Sequence, residues 1–169
     1  MERNTIENIL NFLETNEDKE IPSKWFDLMK KLELIKELET HPDGTQYRHE
    51  GKLFLPNSKI TKLPNDLYVV GSLNLFNCKQ LTKLPDKLYV GNYLDITQTN
   101  ITELPNDLHV EGYIDLISCK NLKELPNNLY VGKSLKLWGC EQLTKLPNNL
   151  YVGDYLYIEN TPLAKKYTN

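Results

Sequence analysis

Thiols, imidazoles and paired carboxylates are the groups in this chain that could do chemistry, and their spacing limits what that chemistry can be. Cys78, Cys119 and Cys140 are the only cysteines, an odd set that argues against a disulfide framework. As metal ligands they would need further donors close by, yet His41, His49 and His109 are scattered along the sequence. Asp95 and Asp115 are the strongest pair of carboxylates, because side by side they could divide the work of general acid and general base. No nucleophile, metal site or phosphate-cradling loop accompanies them. Gly71, Gly91, Gly112, Gly132 and Gly153 are spaced along the chain rather than clustered. The expectation is a protein that is not an enzyme, with no catalytic residue, metal or cofactor.

That even spacing points to the elements that hold these residues. Leu-Pro recurs at Leu63, Leu84, Leu104, Leu125 and Leu146, in steps of 21, 20, 21 and 21 residues, and a fixed period of this length marks a solenoid. Each unit reads Leu-Pro-x-x-Leu-x-Val, a small turn, then an alternating core: Leu53-Phe54-Leu55, Leu73-Asn74-Leu75, Leu94-Asp95-Ile96, Ile114-Asp115-Leu116, Leu135-Lys136-Leu137 and Leu156-Tyr157-Ile158. Period-two alternation predicts a strand with one buried face. Equivalent strands running the same way must stack in parallel, one per coil, giving about six coils.

The repeat also gives the cysteines a structural role. One slot after each strand holds Ser58, Cys78, Thr99, Cys119, Cys140 and Thr161. Where Cys fills it, the next core residue lies three positions on (Leu81, Leu122, Leu143); where Ser or Thr fills it, two (Ile60, Ile101, Leu163). A second column, Tyr68, Tyr89, His109, Tyr130 and Tyr151, is expected to point outward as a stacked ladder.

Val70 to Leu81, reading Val-x-x-Leu-x-Leu-x-x-Cys-x-x-Leu, resembles the conserved segment of the leucine-rich-repeat superfamily. The Leu-Pro-x-x-Leu half is similar to the short repeats of bacterial and phage proteins, including secreted effector ligases. The resemblance covers roughly residues 45 to 165 and implies an α/β repeat fold whose sheet face binds other macromolecules. Those ligases carry a separate catalytic domain, for which this sequence offers no counterpart, so no ligase activity is carried over.

Solenoid ends need caps. Residues 1–46 are expected to form a helical cap and 47–169 the solenoid. Asn4-Thr5-Ile6-Glu7 has the form of a capping box before Ile6, Ile9, Leu10 and Leu13. Ser23 can cap a second helix with an apolar stripe of Trp25, Leu28, Met29, Leu32 and Ile35, stopped by His41-Pro42-Asp43-Gly44. The formal charge of -3 supplies no basic field for nucleic acid. No apolar run suits a secretory signal or a membrane span, so a cytoplasm, the cell's own or a host's, is the expected location.

The outward columns of the strands define the candidate binding face. Phe54, Phe76, Tyr93, Tyr113, Ile117, Trp138, Tyr155 and Tyr157 give it more aromatic and apolar area than a solvated surface favours. Asp95, Asp115 and Lys136 lie among them, with the two aspartates directly adjacent and about 5 Å apart. The expected partner is another protein presenting Lys or Arg. The phage-like repeats imply an inhibitor of a host defence protein, in the manner of anti-CRISPR proteins. Two alternatives stand beside this reading: a nucleic-acid binder stacking bases on tyrosines, and a structural protein that self-associates through its last strand.

Overall fold

The computed structural model describes residues 36–37, 47–49, 51–63 and 65–167. Each repeat contributes two strands. The Leu-x-Val segments form one sheet and the alternating cores form another, and the chain turns a corner between them at the Val-Gly step.

The first sheet contains β1 (Lys36–Glu37), β2 (Tyr47–His49), β4 (Leu67–Val69), β6 (Tyr89–Val90), β8 (His109–Val110), β10 (Tyr130–Val131) and β12 (Tyr151–Val152). All its neighbours are parallel except β1 and β2, which pair antiparallel. The second sheet is parallel throughout: β3 (Leu53–Phe54), β5 (Leu73–Asn74), β7 (Leu94–Asp95), β9 (Ile114–Asp115), β11 (Leu135–Lys136) and β13 (Leu156–Tyr157).

Three expectations change. One strand per coil becomes two, because Leu-x-Val alternates with the same period as the cores. The six strands of the second sheet enclose about five turns, not six complete coils. Helix among the described residues is confined to α1 (Ala164–Tyr167), so the solenoid is a parallel β structure and not α/β. After two strands and two turns, a repeat of this length has only the short Leu-Pro-x-x segment for its return, and proline there cannot continue a helix. The helices expected in residues 1–46 fall outside the described residues, apart from Lys36–Glu37. That pair, placed by the sequence reading near the end of the second helix, forms a strand.

The core is one continuous column. Leu73, Leu75, Leu81, Leu94, Ile96, Ile101, Ile114, Leu116 and Leu122 have no exposed surface. Two backbone devices let the coils approach. A Cβ on Gly112 would lie 2.1 Å from the carbonyl oxygen of Asn92, and one on Gly132 would lie 2.0 Å from that of Glu111; the corner glycines therefore serve close coil-to-coil contact. The turn after each strand of the second sheet needs one left-handed residue, filled by Asn57, Asn77, Gln98, Ser118, Gly139 and Asn160.

The slot residues close the bend that follows. Cys78, Cys119 and Cys140 are buried, free thiols, donating to the carbonyl oxygens of Leu55, Ile96 and Leu116 in the preceding coil at 3.1, 3.0 and 3.1 Å. Thr99 and Thr161 donate within their own coil, to Ile96 and Ile158. Burial pushes the thiols up from their ordinary value, that of Cys140 to about 12. They form no metal cluster with the other described residues.

Candidate interaction surface

The strand register sets the candidate residues in the expected columns. Phe54, Asn74, Asp95, Asp115, Lys136 and Tyr157 are successive partners across the second sheet. Their exposure divides them into two groups.

In the middle coils the column sinks. Asp95 and Asp115 are buried, Asp115 to 7% exposure, so the exposed acidic pair expected from alternation is not present. Asp95 accepts from Asn74 Nδ2 at 3.0 Å and from the Thr97 backbone N–H at 3.0 Å. Asp115 Oδ2 accepts from the Tyr93 hydroxyl at 2.8 Å and from Lys136 Nζ at 3.1 Å. Burial and the hydrogen bond to Asp115 raise the Tyr93 phenol well above its ordinary range, keeping it a neutral donor. Asp115 Oδ1 is buried without a partner among the described residues. The neighbouring rings are partly engaged as well: Tyr93 is half-buried, and Lys133 Nζ sits 5.1 Å from the centre of the Tyr113 ring. This is a polar network that ties coils together, and its carboxylates are too covered to meet a partner directly.

Toward the two ends the face opens. Phe54 is 68% exposed, Trp138 50% and Tyr155 67%. Phe76 and Ile117 are half-buried. Ile117, Lys136, Trp138, Tyr157, Glu159 and Asn160 line a shallow depression of about 330 Å³ across the last three coils. Glu159 and Asn160 were not among the candidates; the register with Trp138 and Gly139 was the signal that could have found them. A longer groove of about 900 Å³ follows the Leu-Pro segments, including Lys83, Glu103, Glu124 and Lys145. Its charges cancel across coils, Lys83 against Glu103 and Lys145 against Glu124.

The tyrosine column of the first sheet is a continuous stack. Centroid separations are 4.1, 5.1, 5.0 and 5.1 Å from Tyr68 through Tyr89, His109 and Tyr130 to Tyr151. Interplanar angles stay at or below 17°. The internal ring faces are therefore spent on one another, which removes them as platforms for nucleobases. His109 also meets Glu111 at 2.8 Å.

Fold and surface together define a parallel β-solenoid whose repeats of about 21 residues display an aromatic face at the C-terminal coils. Compared with protein-family models, curated proteins and solved structures, the chain finds no match. No helix among the described residues is long and apolar enough to cross a membrane.

Proposed function

We propose that this is a leucine-rich-repeat protein without enzymatic activity that binds another protein through the aromatic part of its second sheet. The observation that carries the reading is Trp138: a large, rigid side chain half exposed in a depression that it lines with Ile117 and Tyr157. Such a side chain is costly to leave in water and is among the types that dominate interface energies. The partner's contribution is an apolar side chain entering the depression, with a Lys or Arg beside it to meet Glu159. Phe54, at the other end of the face, is a second apolar contact. Asp115 acts in this reading by holding Tyr93 and Lys136 in place, and Asp95 by holding Asn74 and the Thr97 backbone.

The phage-like resemblance of the repeats makes an inhibitor of a host defence protein, acting in a cytoplasm, the biological setting we favour. The test is affinity purification with the full chain, followed by dissociation constants for the captured partner. Trp138→Ala should weaken binding at least about 30-fold, equivalent to about 2 kcal/mol. Lys62→Ala, on the Leu-Pro side, should leave affinity within about twofold, since isolated surface charges contribute little. Wild-type affinity in Trp138→Ala, with an unchanged melting temperature, would overturn the reading.

A further inference from the structure

Both sheets end at the same coil. Among the described residues β12 and β13 each have a neighbour on one side only. The bonds joining the last coil to the one before define which groups face outward. Tyr151 and Gly153 donate to the carbonyls of Leu129 and Val131, at 2.9 and 3.0 Å, and Leu135 and Leu137 donate to the carbonyls of Tyr155 and Tyr157, at 2.9 and 2.8 Å. One coil on, the equivalent outward groups are the carbonyls of Leu150 and Val152 and the N–H groups of Leu156 and Ile158. The side chains of Leu150, Val152, Leu156 and Ile158 are only partly buried against the core. A single added strand would cover one sheet edge and leave the other, with its apolar positions, in water.

We propose that a second copy of this chain covers this end, tail to tail, about a two-fold axis through Asp154. β12 runs into the corner at Gly153-Asp154-Tyr155 and β13 runs out of it. An axis bisecting that corner lays β12 of one copy antiparallel on β13 of the other, and β13 on β12. The register is then self-consistent at every step. Leu150 faces Ile158 of the second copy, Tyr151 faces Tyr157, and Val152 faces Leu156, so core positions meet core positions and outward rings meet outward rings. The Leu150 carbonyl meets the Ile158 N–H, and the Val152 carbonyl meets the Leu156 N–H. The contact is continuous with the established coil-to-coil interface, since both ladders and the apolar core run across it. Charge permits it: Asp154 and Glu159 are balanced by Lys165 and Lys166 over residues 153–167. The one like-charge contact is Asp154 against its own copy on the axis. This proposal is independent of the partner-binding reading.

The test is molar mass by light scattering, from about 1 μM to about 1 mM protein, the range that brackets moderate to weak association. The expected result is a concentration-dependent dimer that Leu156→Lys weakens at least about tenfold. Asp154→Asn should tighten it about two- to fivefold by removing the like-charge pair. Trp138→Ala should leave it unchanged, which separates this interface from the partner site. A second measurement does not depend on how Leu156→Lys folds. Tyr151 and Tyr157 would occupy a non-hydrogen-bonded antiparallel pair, whose close Cα spacing suits a disulfide. Mixing Tyr151→Cys protein with Tyr157→Cys protein under oxidation should therefore link the two variants, while neither links to itself. A single-chain mass over the whole range, or linkage of Tyr151→Cys to itself, would overturn the proposal.

Discussion

Leu125, Leu129, Val131, Leu135 and Leu137 are buried, whereas their equivalents one coil later, Leu146, Leu150, Val152, Leu156 and Ile158, are only partly covered. The residue types are almost the same. What differs is the next coil: it closes the interior positions from one side, and among the described residues none follows the last one. Burial at these five positions is thus a nearest-neighbour property, as expected of a quasi-one-dimensional solenoid, while Leu163 is fully buried within the last coil itself. The same neighbour that buries a leucine also satisfies the outward backbone groups and stacks the outward rings.

If that is right, the same substitution should cost more inside than at the end. The largest effect is expected at the corner. Gly112→Ala would push a Cβ into the Asn92 carbonyl between two packed coils, and should cost about 3 kcal/mol, the upper end for overpacking. Gly153→Ala meets the Gly132 carbonyl equally closely, at 2.1 Å, but the last coil can shift away, so less than half that loss is expected. Urea denaturation of both variants checks the difference, and equal losses would mean that the last coil is as rigidly held as the others.

Next comes truncation of the core. Leu135→Ala removes a fully buried side chain and should cost about 3 kcal/mol. Leu156→Ala, partly exposed already, should cost about 1 kcal/mol by area. Chemical denaturation at low protein concentration, where self-association is absent, compares the two directly.

A third test uses pH. The folded Cys140 thiol is pushed up to about 12 by burial, from an ordinary value of 9.0, and burial raises the Tyr89 phenol to about 12 from 10.0. Raised values mean that the unfolded chain loses its protons first. The stabilisation is complete below pH 9 and is lost as pH rises from 9 toward 12. Melting temperature should fall across that window, and Cys140→Thr should flatten part of the fall. At pH 7 the same variant should change stability by less than about 1.5 kcal/mol, since Thr99 and Thr161 fill the slot elsewhere.

The smallest effect is a gain. Ser118 has a φ of 58° in a turn position where the following coil has Gly139 at 72°. Ser118→Gly should stabilise the fold by about 0.5 kcal/mol, relief of left-handed strain partly offset by the flexibility glycine adds to the unfolded chain. A melting temperature unchanged or lowered would show that the turn holds serine without strain.

The repeat, the second-sheet strands, their register and the slot filled by Cys, Ser or Thr were all legible in the residues. The Leu-x-Val segments carried the same signal, Leu67-Tyr68-Val69 being as alternating as Leu73-Asn74-Leu75. Their tyrosine column points to a ladder, and the first sheet that these segments form is the one the residue pattern did not lead to. The candidate face was legible in direction but not in depth. Alternation turned Asp95 and Asp115 outward correctly, yet outward did not mean exposed, because Asn74, Tyr93 and Lys136 close over them.

What the sequence determined by itself is therefore the period of the solenoid and which side of each strand a residue takes, since both follow from local spacing along the chain. Only the tertiary structure decided how much of each outward side chain water can reach. It also decided that Trp138 stands beside a depression while Asp115 does not, and that among the described residues the last coil ends both sheets. The physical reason is that coverage comes from side chains about 20 residues away in sequence but one strand away in space. Their reach depends on size and hydrogen bonding, which spacing does not encode.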